Sequence, residues 1–140
     1  MRIRVIGWIA TATIASAAFF VGPAWSQVPK ELKTKTGSSV VLANFINPRP
    51  DCSMNPGPVA VPIVSGPPKN GIVQMQVVVS NVPASGNCPA RKLASIAIIY
   101  TPSKDFTGSD SVQLEVEAGN RKSALSYNIS VLGAGQQQQL

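Results

Sequence analysis

Few residue types in this chain could do covalent chemistry, and their spacing commits none of them to a reaction. The sequence contains no histidine, so the usual general base beside a nucleophile is missing. Serine and lysine adjoin at Ser103-Lys104 and Lys122-Ser123, but neighbours on a strand point to opposite faces and both pairs sit at turn signals. They read as solvated surface. A pair of carboxylates for glycoside cleavage would have to come from Glu31, Asp51, Asp105, Asp110, Glu115 and Glu117. Glu115 and Glu117 share one polar strand face, which points them to water. Asp105 with Asp110 is the alternative for a calcium site, yet calcium takes about six to eight oxygens and no denser acidic cluster surrounds them. Cys52 and Cys88 could be free thiols or metal ligands, but there is no second cysteine pair to complete a site. Nothing here calls for a metal or a cofactor, and the expectation is a non-enzymatic protein.

The elements that would position these residues follow from a period of two. Val73, Met75, Val77 and Val79 share one parity, as do Ile96, Ile98 and Tyr100, and as do Val112, Leu114 and Val116 against Gln113, Glu115 and Glu117. Leu125, Tyr127, Ile129 and Val131 repeat the pattern, and Val40, Leu42 and Phe45 open it. Alternation of this kind predicts strands half buried on one face. Turn signals separate them at Asn47 to Pro50, Asn55 to Pro58, Ser65 to Gly71, Ser85 to Asn87 and Gly119-Asn120. Pro58 and Pro62 demote the Val59 to Val64 segment to an edge strand or an irregular one. Short strands punctuated in this way predict an all-β antiparallel sandwich.

One stretch carries a mechanical reading of its own, Ile98 to Ser111. Tyr100 should end a strand with its ring inward, Pro102 should stop the ladder for want of an N–H, and Phe106 should fold back over the open end of the core. Gly108 supplies a backbone angle that other residues resist. Asp110 can accept hydrogen bonds from turn N–H groups and so hold the corner closed.

The order Tyr100-Thr101-Pro102, Phe106, Gly108, Asp110, an alternating strand, the Gly119-Asn120 turn and a last strand from Ala124 to Val131 resembles the C-terminal half of bacterial Ig-like, cadherin-like tandem-repeat modules. Upstream, Pro67-Pro68-Lys69-Asn70-Gly71-Ile72-Val73 is similar to the turn that precedes a central strand in them. The resemblance spans Thr36 to Leu132. It implies an Ig-like sandwich of about seven strands, in which Tyr100, Pro102, Phe106, Gly108 and Asp110 are structural. This chain departs from such modules in holding one copy, in lacking the acidic interdomain calcium motifs, and in a longer Val77 to Ser95 segment that contains Cys88.

Residues 1–26 have the three parts of a secretory signal: Arg2 and Arg4, an apolar stretch from Val5 to Val21, and small residues at Ala24 and Ser26. Export by the general secretory route is expected, to the periplasm or beyond, with membrane contact only in transit. An uncleaved anchor is the alternative, and Gly7, Gly22 and the alanines make a weak one. In an oxidising compartment Cys52 and Cys88 are expected to pair. Closing a loop of 37 residues favours the folded state by about 4 kcal/mol on the chain-entropy model.

The domain plan is then a signal at 1–26, a linker at 27–35, the sandwich at 36–132 and a disordered Gln-rich tail at 133–140. Of twelve basic residues, Arg2 and Arg4 fall in the leader, leaving ten against six acids, a net charge of +4. These are dispersed without aromatic interleaving, which argues against nucleic acid as a partner. Both tryptophans, Trp8 and Trp25, also lie in the leader, so the rest lacks the aromatic platform of many glycan binders. Two functions remain: an exported Ig-like module that contacts an envelope or extracellular protein or serves as a structural component of the envelope, or a small-ligand or glycan binder. Both would use the loops Asn47 to Pro58 and Pro83 to Lys92, because loops on a rigid sandwich carry recognition.

Overall fold

The computed structural model describes residues 27–135. The expected signal segment lies outside them, as does the tail beyond Gly135. Among the described residues seven strands form: β1 (Lys30–Lys35), β2 (Val40–Phe45), β3 (Ile63–Gly66), β4 (Gly71–Val82), β5 (Arg91–Pro102), β6 (Gly108–Ala118) and β7 (Arg121–Leu132). They make two sheets, one ordered β1-β7-β6-β3 and the other β2-β5-β4. The fold is thus all-β, in the form of a sandwich.

The core sits between the sheets and is made by the alternating residues. Leu42, Ile98 and Tyr100 from one sheet meet Val112, Leu114, Tyr127, Ile129 and Val131 from the other. Their polar neighbours on β6, Gln113 among them, face outward, as period two requires. Only Ile63 and Val64 of the Val59 to Val64 segment enter a strand: residues 59–62 are irregular, and β3, which also takes Ser65 and Gly66 from the expected turn, lies at the edge of its sheet against β6.

Two expectations are corrected. The stretch expected to be a linker contains β1, which pairs in parallel with β7 from Lys30 against Tyr127 to Lys35 against Leu132. The sandwich therefore begins at Lys30, six residues before the expected start at Thr36. Its short charged sequence hides the strand, whose inward residue Leu32 packs against the core. Second, the stretch from Val77 to Ser95 is no long connection: most of it extends the β4–β5 hairpin, whose register runs unbroken from Gly71 against Pro102 to Val82 against Arg91. Along β4 the predicted inward parity reaches the core only at Val73. Met75, Val77 and Val79 are 47%, 77% and 73% exposed on this edge strand, although Met75 lies opposite the fully buried Ile98.

Gly71 shows how tightly the hairpin's base is packed. A Cβ there would lie 2.5 Å from the Tyr100 ring and 2.6 Å from the Thr101 carbonyl oxygen, closer than carbon atoms tolerate. Gly71→Ala is therefore expected to cost about 1–3 kcal/mol through overpacking, read as a lowered urea midpoint with unchanged slope. A midpoint equal to the parent's would show that Tyr100 can yield.

Candidate functional site

The residues singled out by sequence fall at two separate places. At one end lies the corner. Tyr100, fully buried near the end of β5, donates its hydroxyl proton to Asp110 Oδ2 at 3.0 Å. Asp110, buried in β6, also accepts from the backbone N–H groups of Lys69 at 2.9 Å, Asn70 at 2.8 Å and Ser111 at 2.9 Å. The turn whose N–H groups it closes is thus the one between β3 and β4, while at its own corner it takes the Tyr100 hydroxyl and the Ser111 N–H. One carboxylate ties together a strand of each sheet and the loop that joins them.

The electrostatics follow. Burial alone would push the Asp110 carboxyl up, but the three N–H groups and the Tyr100 hydroxyl outweigh it and hold it below the usual carboxylate range. Burial, then the hydrogen bond and negative charge of Asp110, push the Tyr100 phenol well above its ordinary value. Pro102 is the last residue of β5, and Phe106 half-covers the end of the core. Between them a Ser103 to Phe106 turn is closed by a 3.1 Å backbone bond, with Asp105 at φ 62°. Gly108 takes φ 127°, a region that favours glycine. Asp105 is exposed while both oxygens of Asp110 are engaged, and among the described residues no group of three or more His, Cys, Asp or Glu is placed to hold a metal.

At the other end, Cys52 and Cys88 are joined in a disulfide, their Cα atoms 5.2 Å apart. It staples the proline-rich loop after β2 to the tip of the β4–β5 hairpin. Each loop has its own internal bonds. Asn47 accepts from the Gly57 N–H at 2.7 Å and donates its side-chain amide to the Pro58 carbonyl at 2.7 Å. The hairpin tip closes by reciprocal bonds between Ser85 and Cys88 around Gly86 at φ 57°. Across the staple, Arg91 Nη2 donates to the Arg49 carbonyl at 3.2 Å, and the Cys52 N–H donates to the same oxygen at 3.2 Å. Cys52 itself stands at φ 61°, a left-handed conformation that costs a residue with a Cβ roughly 1–3 kcal/mol.

Pro48, Arg49, Pro50, Val82, Ser85, Cys88 and Arg91 line a cleft of about 290 Å³ between the two loops. The Nε of Arg91 is enclosed there without a hydrogen-bond partner. The cleft is proline-walled and carries two arginines, and none of its lining residues is an acid or a histidine.

The remaining residues weighed for chemistry are dispersed. Glu117 and Glu115 both lie against Lys122, at 2.7 and 3.4 Å. Tyr127 is in the core, and Asn128 of the Asn-Ile-Ser sequence donates to Glu31 at 2.7 Å. Sequence reasoning missed a second buried row on β5. Leu93, Ser95 and Ala97 are buried with the parity opposite to Ile98 and Tyr100, and Ser80 links to Ser95 at 2.6 Å and to Asn44 at 2.7 Å. The adjacent Ala97 and Ile98, on opposite faces, were the available signal of a strand covered on both sides.

No family model and no curated protein matches the chain. Among solved structures it is similar to the solution structure of Amebosin, at 12% identity, covering 72% of this chain and 87% of that one with a TM-score of 0.41. A likeness at that level informs neither fold family nor function.

Proposed function

We propose that the chain is an exported, non-enzymatic Ig-like module that acts through protein contacts, or as a structural component of the cell envelope. The observation that carries this reading is the pair of loops stapled by Cys52 and Cys88 at the end of the sandwich away from the corner, since loops held on a rigid scaffold commonly carry recognition. Strand order supports the Ig-like part. Orders β2-β5-β4 and β7-β6-β3 correspond to the BED and GFC sets of an immunoglobulin sandwich, with the first strand moved beside the last. The cadherin-like resemblance places the corner residues in the same structural role.

Export rests on the leader and is supported by the disulfide, which belongs to oxidising compartments. Among the described residues no helix is long and apolar enough to cross a membrane. Sequencing the protein recovered from the periplasm or medium should return Gln27 as the first residue; a start at Met1 would defeat the export reading. Cross-linking in the native envelope followed by purification should recover a protein partner through the Asn47 to Pro58 and Pro83 to Lys92 loops. Recovery of background alone would count against the contact reading.

The basic cleft between the loops favours a second reading, a binder of small anionic ligands or acidic glycans. Calorimetry against cell-wall and acidic polysaccharide fragments should then give heat that Arg49→Ala abolishes, and no heat would remove it.

A further inference from the structure

We propose that β4 is a strand-addition edge that takes the β4 strand of a second copy, antiparallel across a two-fold axis near Val77. The two sheets have four edges, β1, β3, β2 and β4. An edge strand presents unpaired N–H and C=O groups, and proteins guard such edges with charge, proline, bulges or short length. β1 carries Lys30, Glu31, Lys33 and Lys35. β3 is four residues long, follows Pro62, and shifts register between Val64 and Gly66. β2 is six residues long and shifts register between Val41 and Ala43. β4 has none of these guards: twelve residues, Gly-Ile-Val-Gln-Met-Gln-Val-Val-Val-Ser-Asn-Val, with no charge, no proline and unbroken register against β5.

The side chains of the same strand are left open too. Met75, Val77 and Val79 form an exposed apolar row, continued by the exposed Ala94 opposite Val79. A two-fold axis at Val77 sets Val77 against the partner's Val77, and Met75 against the partner's Val79. All three side chains then lie on one face of a continuous sheet, where directly opposed apolar pairs stabilise it. The overlap runs from Ile72 to Val82 and ends where Gly71 would meet the partner's Pro83, which lacks an N–H.

A second copy suits this edge better than a charged partner. Beyond residue 26 ten basic residues stand against six acids, so self-association elsewhere tends to oppose like charges, whereas β4 brings none to the axis. Pairing over this length makes on the order of ten interchain hydrogen bonds, the usual complement of a specific interface. Its area is at the low end, under about 1,200 Å² in total, so the dimer should dissociate on dilution.

Sedimentation velocity on the purified protein from about 1 μM to about 1 mM should show a monomer passing to a dimer. Val77→Lys, at an exposed position, should keep the parent's circular dichroism and melting temperature while weakening association by about tenfold or more, since it sets lysines face to face. The double variant Met75→Lys/Val79→Glu places each lysine opposite the partner's glutamate and should still dimerise. A monomer at every concentration would overturn the proposal, as would a dimer that Val77→Lys leaves unchanged. A double variant that stays monomeric while the parent dimerises would overturn the Val77-centred register.

Discussion

Asp110→Asn is expected to lower the unfolding free energy by about 3 kcal/mol, the scale of breaking a buried, charge-assisted hydrogen-bond set. The carboxylate accepts from four donors, two on each oxygen. An asparagine keeps one acceptor oxygen and turns an NH₂ group toward the other two. With the NH₂ on the Lys69 and Ser111 side, two N–H groups lose their acceptor. With it on the Asn70 and Tyr100 side, the Tyr100 hydroxyl can rotate to accept, and the Asn70 N–H alone is orphaned. The second arrangement limits the damage without removing it. Tyr100→Phe, which leaves the carboxylate three partners, should cost less, about 1–2 kcal/mol. The two substitutions should be non-additive in a double-mutant cycle. Because Asp110 and Tyr100 belong to different sheets, the loss is one of sheet-to-sheet attachment. Urea midpoints measure it, and an Asp110→Asn variant within about 0.5 kcal/mol of the parent would reduce the corner to decoration.

The same pair predicts how stability follows pH. The folded pKa of Asp110 is depressed, so its contribution is present above the unfolded value of about 3.9 and is lost as pH falls through the folded one. Asp110→Asn should flatten that acid limb. Tyr100 is shifted the other way, mainly by burial. Its contribution is intact below the unfolded value of about 10 and disappears as pH rises toward the folded value, because the unfolded chain ionises first. Tyr127, also raised by burial, adds a slope of the same sign, so Tyr100→Phe should shrink the alkaline loss without abolishing it.

The corner was legible in sequence because its cues are local. Tyr100, Pro102, Phe106 and Gly108 act on the chain within a few residues of themselves. The main partners of Asp110 were not, since Lys69 and Asn70 sit about forty residues upstream in a turn that looks self-sufficient with its prolines and glycine. β1 escaped for a different reason. Leu32 and Thr34 are its only inward residues against four charges, and a parallel partner at the other end of the chain leaves no mark on local pattern. The exposed row on β4 shows the opposite failure. Val77 and Val79 alternate as core residues do, but periodicity reports which residues share a face and says nothing of whether another sheet lies over it. On the edge strand β4 alternation continues where burial stops. The two loops could be named from their cysteines, since pairing across 36 positions forces them together whatever the path between. The basic cleft they enclose depends on Arg91 reaching the Arg49 carbonyl, which no spacing rule contains.

Removing the staple is the largest single loss expected. The double variant Cys52→Ser/Cys88→Ser should be less stable by about 4 kcal/mol, from loop-closure entropy restored to the unfolded chain. Against a typical margin of about 5–15 kcal/mol that is a large fraction. The native state offsets part of it, since Cys52 no longer needs to hold φ 61° once the staple is gone. The two ends of the molecule should respond differently. The corner and the inter-sheet core contain neither cysteine, so the circular dichroism of the sandwich should persist under mild conditions. The loop from Ile46 to Pro62 should detach from the hairpin tip, its remaining ties there reduced to bonds such as Arg91 to Arg49. Limited proteolysis with and without reductant separates these outcomes: reduced protein should be nicked within that loop first, with fragments that stay associated. Equal urea midpoints and equal cleavage in both redox states would show the loops are held by packing alone. The folded yield should also be lower in a reducing cytosol than in an oxidising compartment, where the staple can form.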